Sequence, residues 1–220
     1  MTRTSVNPGR VEWSGENPGI YLKTDTDGDY TTLALFFRVV LSRKGRGTAA
    51  LILGEPDKSV GWPDAPNFLI TDNQQMMRWI VDGWVTKMPT FKGRAGLSGM
   101  RWLGLDSCVR RPSDLTSHYS EVLRGSGVEL EMNWRGLGEP IPVEVTAENS
   151  ATGEHEMYSV FQEAQQADII VNGTALSGDV SGREFFGRPM STAFLAFSET
   201  WVTPASVKAV NVTPDNVGVL

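Results

Sequence analysis

The chain is organised around residues 185–202, and within them the stretch 191–202 is mostly apolar. No charge falls between Met190 and Ser198, and alternate positions are mostly apolar on both faces. Aromatic residues and threonine, with Pro189 and Pro204 on either side, favour a β-strand over a helix. A strand that is apolar on both faces is typical of one buried on two sides. We therefore predict that this stretch closes the main sheet.

Shorter runs of branched and aromatic residues predict further strands at regular spacing. The strongest covers residues 30–41 and forms a hairpin with 48–53 across a basic turn. In 128–135, Val, Leu, Met and Trp alternate with polar residues, as in an antiparallel strand with one wet face. The remaining predicted strands cover residues 100–109, 118–124, 141–147, 154–162, 168–171 and 174–180.

One principal helix is predicted near residues 73–88, where apolar residues recur at helical spacing until Pro89 ends the run. Asp72 and Gln75 have the capping-box spacing, which makes Asp72 the predicted N-cap. Glycine inside a helix costs about 1 kcal/mol relative to alanine. Gly83 therefore predicts close packing of the helix against another element.

These elements predict a mainly β fold, either an antiparallel up-and-down barrel or a strongly curved sheet, with the helix packed on it. A chain of 220 residues with 40% hydrophobic content can bury one sizeable core, so residues 1–220 are predicted to form a single domain. The polar segment 1–18 is predicted to be an N-terminal arm. Residues 204–220 lose periodicity and are predicted to be a peripheral tail.

Composition and charge narrow the class of protein. The net charge is −6 and the 20 lysines and arginines are scattered, which argues against binding to nucleic acid or an anionic membrane surface. The single cysteine, Cys108, fits a reducing compartment, and no apolar run approaches the roughly 20 residues of a membrane span. The start of the chain lacks the apolar segment of a signal peptide, so we expect a cytoplasmic protein. Excess apolar positions and scattered tryptophans predict a homodimer.

The run from His118 to Trp201, a meander of strands that ends on a doubly apolar strand, resembles the lipocalin-like, or calycin, β-barrels. The resemblance is architectural and covers about half of the chain. Residues 11–13 read Val-Glu-Trp and lack the glycine of the Gly-x-Trp signature, so no functional residue is carried over. The resemblance implies a closed sheet whose lumen holds one small, mostly apolar molecule.

Familiar motifs are absent from the sequence. Residues 25–29 place carboxylates as in a calcium loop, but Tyr30 occupies the glycine position and Phe36 the position of the bidentate glutamate. There is no HExxH, CxxC, phosphate-binding loop or dinucleotide fingerprint, and two histidines are too few for a three-histidine metal site. We therefore predict no cofactor and no metal.

The candidate chemistry lies in polar residues on apolar strands. Strict alternation places Glu199 on one face with Leu195, Phe197 and Trp201. A carboxylate that faces an apolar lumen has its pKa raised by desolvation and can act as an acid or a base. Strand ends also carry charges that reach solvent, which is the plainer interpretation of Glu199.

By the same alternation His155 shares a face with Met157 and Phe161, and it is the predicted proton partner of Glu199. The further candidates are polar residues within other apolar strands, or apolar residues expected to line the predicted lumen. The predicted catalytic residues are Glu199, His155, Tyr158, His118 and Arg38, and the predicted ligand-binding residues are Trp134, Phe197, Trp201 and Met157. A structural alternative pairs Arg38 with Glu199 as a buried ion pair, and Cys108 is interpreted as an inert apolar residue.

Two functions follow. The first is a cofactor-independent lyase, hydratase or isomerase that acts on a small, mostly apolar organic molecule in the barrel lumen. The second is a non-catalytic β-barrel that binds a small ligand or serves as a structural, oligomeric protein. A cavity in which two titratable side chains meet favours the enzyme.

Overall fold

The computed structural model describes residues 9–111, 114, 116–185 and 187–205. The strands in chain order are β1 (Gly9–Glu16), β2 (Gly19–Leu22), β3 (Thr32–Ser42), β4 (Gly47–Leu53), β5 (Asn67–Thr71), β6 (Arg101–Gly104), β7 (Ser107–Arg110), β8 (His118–Gly125), β9 (Val128–Leu137), β10 (Ile141–Val145), β11 (Glu156–Val171), β12 (Thr174–Ala175), β13 (Gly182–Phe185), β14 (Arg188–Ser191) and β15 (Ala193–Pro204). The α-helices are α1 (Gln74–Gly83) and the short α2 (Ala95–Gly99), with single 3-10 turns at Val85–Lys87 and Ala147–Asn149.

Thirteen of these strands form one sheet, in the order β6-β5-β4-β3-β1-β15-β11-β9-β8-β7 with β2, β10 and β12 attached beside it. All pairings are antiparallel except that of β5 with β6, so the sheet is mixed. No pairing joins β6 to β7 among the described residues, and the sheet is a partial ring. The predicted mainly β fold with one principal helix is confirmed at this level, whereas the purely antiparallel up-and-down order is wrong.

Strand β1 occupies a central position, between β3 and β15, instead of forming an arm. Trp13 on this strand is fully buried. The charge of Glu12 makes this strand difficult to recognise from the sequence. In the structure Glu12 is buried as well, and it pairs with Arg10 and Arg43 at 2.7 and 2.8 Å. Residues 1–8 of the predicted arm and 206–220 of the predicted tail lie outside the described residues.

Several predicted strand boundaries differ from the structure, and the predicted strand 174–180 is reduced to β12. The predicted strands 154–162 and 168–171 are joined in one strand, β11, which begins at Glu156, because the exposed Gln165 and Gln166 lie within it and do not form a turn. The predicted strand 100–109 is divided into β6 and β7, which lie at opposite ends of the sheet. In β11 the two glutamines mark a solvated part of a continuous strand. The predicted strand 100–109 is interrupted after Gly104, where β6 ends.

The principal helix is shorter than predicted and is capped one residue later. Asn73, not Asp72, is the N-cap, and its side chain accepts a hydrogen bond from the Met76 amide at 3.0 Å. Asp72 instead accepts a hydrogen bond from the Thr48 amide at 2.8 Å, which ties the helix start to β4. The close packing predicted at Gly83 is wrong, since a Cβ there would meet nothing within 4 Å.

The sheet is buried on both sides, which produces two hydrophobic cores. The helix-side core lies between the sheet and α1. It includes Trp13, Leu35, Phe37, Leu51, Met77, Ile80, Trp84, Met157, Phe161, Phe194 and Trp201. The opposite core lies where the curled sheet faces itself. It includes Phe36, Ile52, Phe68, Tyr119, Leu130, Met132, Trp134, Ile169 and Leu195.

A β-bulge at Ser198 decides which core receives the end of β15. Along β11 the pairs Tyr158 with Thr200 and Val160 with Phe197 leave one extra residue on β15. Ser198 takes the left-handed φ of 53°, as bulges often require. Before the bulge Leu195 faces the opposite core, and after it Trp201 faces the helix-side core. The predicted common face of Leu195, Phe197, Glu199 and Trp201 is therefore wrong.

We expect the Ser198→Val variant to lose about 1–3 kcal/mol of unfolding free energy, because a β-branched residue resists positive φ. Ser198→Gly is the matched control and is expected to be at least as stable as the parent at this φ. The side chain of Ser198 is exposed, so burial does not confound the comparison. Urea unfolding followed by circular dichroism measures both. A valine variant as stable as the glycine variant would contradict the bulge.

Candidate functional site

A cavity of about 530 Å³ opens within the helix-side core. One wall is the sheet, and the others are the segment after α1, the turn that follows β10, and the hairpin β13–β14. The residues that line it are Asn17, Tyr21, Tyr30, Leu35, Lys87, Met88, Pro89, Thr90, Val145, Asn149, Ser150, Ala151, Met157, Phe161, Arg183, Glu184, Phe185, Phe194, Glu199 and Trp201. The walls are mainly apolar, with a few polar groups, as is usual for small-molecule sites.

Glu199 supplies a buried carboxyl group to this cavity and is only 4% exposed. Its Oε1 accepts hydrogen bonds from Asn17 Nδ2 at 3.0 Å and from Trp201 Nε1 at 2.7 Å. No described residue donates to Oε2, and no described lysine or arginine lies within ion-pair distance. Burial raises the pKa of Glu199 to about 7, against the smaller lowering effect of the two hydrogen bonds.

Local chain geometry holds the partners of Glu199 in place. Asn17 lies between β1 and β2, where its backbone N–H donates a hydrogen bond to the carbonyl of Ala196 at 2.9 Å. Trp201 stacks on Trp13 with a centroid distance of 6.3 Å. The Oδ1 of Asn17 is buried and has no partner among the described residues. The carboxyl is therefore oriented through Oε1, while Oε2 accepts no hydrogen bond from the described residues.

Arg183, on β13, supplies a cation to the same cavity. Its guanidinium lies 5.2, 4.8 and 4.7 Å from the rings of Tyr21, Phe185 and Phe194. The Nε and Nη2 atoms are buried and have no hydrogen-bond partner among the described residues. Arginine nitrogens in such a position are costly unless something accepts their hydrogens.

Tyr21 experiences both charged groups. Burial raises the pKa of the Tyr21 phenol to about 12, the charge of Arg183 lowers it, and the charge of Glu199 raises it further. The phenol therefore keeps its proton at neutral pH and can only donate or accept hydrogen bonds.

Three of the residues predicted from the sequence line the cavity: Glu199, Trp201 and Met157. Two of the predicted ligand-binding residues do not. Trp134 belongs to the opposite core, where its Nε1 donates to the carbonyl of Gly19 at 3.0 Å, and Phe197 packs against Tyr119 at 5.9 Å in the same core.

The other predicted catalytic residues also lie away from the cavity lining. His155 packs on Trp84 at 5.0 Å between ring centroids, and its Nδ1 lies 3.0 Å from the hydroxyl of Thr152. Burial lowers the pKa of His155. His118 is exposed beside Ser117, and the Tyr158 hydroxyl donates to Glu156 at 2.6 Å. The expected pairing of His155 with Glu199 is absent among the hydrogen bonds of the described residues.

Arg38 belongs to a separate ion network on the other side of the sheet. It pairs with Glu16 at 2.5 Å and with both oxygens of Glu121 at 2.9 Å, and Arg110 pairs with the same two carboxylates at 2.6 and 3.0 Å. Two cations and two carboxylates compensate one another, which indicates a structural role. The alternative pairing of Arg38 with Glu199 is therefore wrong.

Cys108 borders this network, with Sγ 3.5 Å from Glu121. Burial, followed by the charge of Glu121, raises the pKa of the thiol to about 12. A thiol that stays protonated is a poor nucleophile, as its interpretation as an inert apolar residue implies.

Sequence analysis did not identify Asn17, Tyr21, Lys87 or Arg183 as site residues. Asn17 fell within the segment interpreted as an arm. Arg183 lies in a short hairpin whose pairing, Arg183 with Met190, has no strong alternation in sequence. What distinguishes Arg183 is the burial of its guanidinium among the rings of Tyr21, Phe185 and Phe194. This arrangement is recognisable only in the tertiary structure.

No group of three or more His, Cys, Asp or Glu side chains in the described ranges is placed to hold a metal ion. In the turn at residues 25–29, the Asp25 carboxylate accepts a hydrogen bond from the Asp27 amide at 3.1 Å. Among the described residues, neither helix has the length and apolar character that a membrane crossing requires.

Comparisons of this chain with protein-family models, with curated proteins and with solved structures find no match. The class that the fold and the site define is a mainly β protein with a ligand-sized cavity and a buried carboxyl group. The lipocalin-like resemblance stays a prediction, to which the curled sheet adds compatibility of shape.

We expect the stability of the protein to fall as the pH rises from about 4.5 to about 7, through the effect of Glu199. A carboxyl whose pKa is higher in the folded state than in the unfolded state stabilises the fold while it is protonated. That stability is complete below the unfolded pKa and is lost as the pH rises through the folded pKa. The effect is on the order of 3 kcal/mol.

Glu199→Gln keeps the shape and the accepting oxygen but removes the titration. The difference in unfolding free energy between parent and variant, measured by urea denaturation from pH 4 to 8, should therefore change across this range. Glu129→Gln, at an exposed ion pair with Arg124, is the matched control. A constant difference between the parent and Glu199→Gln would show that the carboxyl titrates alike in both states.

Proposed function

We propose that the protein is a cofactor-independent enzyme that binds a small, mainly apolar organic molecule in this cavity and moves a proton on it. The observation that carries the proposal is the buried carboxyl of Glu199, whose pKa is about 7, in an apolar wall. A general acid or base works best when its pKa is near the working pH, because both protonation states are then populated.

The surroundings of Glu199 favour one reaction class over the others. Its hydrogen-bond partners, Asn17 and Trp201, do not titrate in the neutral range. A hydratase or lyase commonly uses a separate acid and base, whereas an isomerase that removes a proton and returns it to a neighbouring atom can use one carboxylate. We therefore favour the isomerase. In this proposal Glu199 is the catalytic residue, and Asn17 and Trp201 are positioning residues.

Non-catalytic ligand binding is the second candidate function, and a specific observation favours it. A second titratable group in hydrogen-bond contact with Glu199 is absent among the described residues. In that case the same apolar walls and buried polar groups would hold a ligand without chemistry. The homodimer and the cytoplasmic location stay predictions from the sequence, independent of either function.

Deuterium exchange tests the catalytic proposal. In D₂O near pH 7, we expect the protein to accelerate exchange of the hydrogens next to the carbonyl of small arylalkyl ketones such as 4-phenylbutan-2-one, followed by proton NMR. Glu199→Gln should abolish the acceleration because it removes the base, a loss of about 10²-fold or more. The Glu129→Gln control should retain it.

Equal exchange rates with the parent and with Glu199→Gln would contradict the assignment of Glu199. Ligand binding by the parent with no exchange across a panel of such ketones would support the binding protein instead. Circular dichroism of each variant confirms that the fold is retained.

A further inference from the structure

The unpaired edge of Arg183 carries information about the ligand. In a guanidinium group, Nε and one terminal nitrogen present parallel N–H bonds along a single edge, and this fork matches the two oxygens of a carboxylate. By the naming of these atoms, that terminal nitrogen is Nη2. In Arg183 the two buried atoms without a partner among the described residues are Nε and Nη2. The edge left unpaired is therefore the one suited to bidentate recognition.

The aromatic rings around Arg183 do not satisfy this edge. Tyr21, Phe185 and Phe194 lie within 5.2 Å of the guanidinium carbon and stabilise its delocalised charge. The phenylalanine rings have no oxygen that could accept an in-plane N–H bond. The Tyr21 hydroxyl does interact with Arg183, since a hydrogen bond between them lowers the pKa of Tyr21, yet Nε and Nη2 remain without a partner among the described residues. Glu199 does not serve either, since its pKa shows no effect from Arg183 and no ion pair joins them. The charge and the two donors remain available to a third group.

We infer that the ligand of the cavity is a small, mainly apolar carboxylic acid, whose carboxylate is bound side-on by Nε and Nη2 of Arg183. This inference rests on the proposed function, because it concerns the occupant of the same cavity. A monoanion fits better than a phosphate dianion, since only Arg183 of the described lining residues presents a buried unpaired donor edge, the second cation of the lining, Lys87, is half-buried, and Glu199 adds a negative charge when it is ionised. The apolar body of the ligand would contact Met157, Phe161 and Phe194.

Calorimetric titration with three matched probes tests this inference on the parent protein. The probes are 3-phenylpropanoate, its methyl ester and 3-phenylpropylphosphonate, which share one apolar body. We expect the carboxylate to bind about 10-fold more tightly than the ester, as a charge-assisted bidentate pair implies. The phosphonate should bind more weakly than the carboxylate.

Three variants locate the effect. Arg183→Met keeps an unbranched apolar stem and should remove the preference for the carboxylate over the ester. Arg183→Lys keeps the charge without the fork and should retain only part of the preference. Arg188→Met changes an exposed arginine of the same hairpin and should behave as the parent.

The outcomes separate this inference from the proposed function. Equal affinity of the parent for ester and carboxylate would overturn the inference while the cavity still binds apolar molecules. A preference for the phosphonate would overturn it in favour of a phosphate-bearing ligand. A carboxylate preference that persists in Arg183→Met would place the anion elsewhere. Binding of none of the three probes would remove the support for both proposals.

Discussion

Where the sheet is buried on both faces, a charged side chain loses its access to water, and the fold depends on how each such charge is compensated. Among the described residues, three carboxylates of the sheet, Glu12, Glu121 and Glu199, are nearly fully buried. Glu12 pairs with Arg10 and Arg43. Removal of an ionised carboxylate from water is too costly to persist unless it is paired, hydrogen-bonded or neutralised.

Glu121 and Glu199 illustrate two different solutions. Glu121 is held by two arginines, and Tyr119 donates a further hydrogen bond at 2.6 Å. Glu199 has neutral hydrogen-bond donors only, and they lower its pKa by less than burial raises it. Among the described residues, the buried carboxyl without a cation is thus the one that lines a cavity. Buried polar groups that are incompletely compensated often mark functional sites, because a ligand can supply the missing interaction.

The sequence predicts the parts of this fold that depend on local pattern. The hairpin of β3 with β4, the alternation in β9 and the doubly apolar character of β15 follow from side chains two residues apart. Glu199 was found for the same reason, as a lone charge in an apolar strand. The face on which Glu199 lies was not predicted correctly, because the single inserted residue Ser198 reverses the alternation. The sequence around Ser198 gives little indication of this bulge. Likewise, β1 was missed because the arginines that neutralise Glu12 could not be assigned before the strands were paired.

The tryptophans near Glu199 connect the ionisation of its carboxyl to the fluorescence of the protein. The Trp201 indole donates its N–H to the carboxyl and lies 6.3 and 6.4 Å from Trp13 and Trp84, which in turn is 4.7 Å from Trp79. Four indoles at such separations exchange excitation energy, so a charge that forms beside one of them alters the emission of the group. The intrinsic tryptophan fluorescence of the protein should therefore report the ionisation of the Glu199 carboxyl, and no label or ligand is needed.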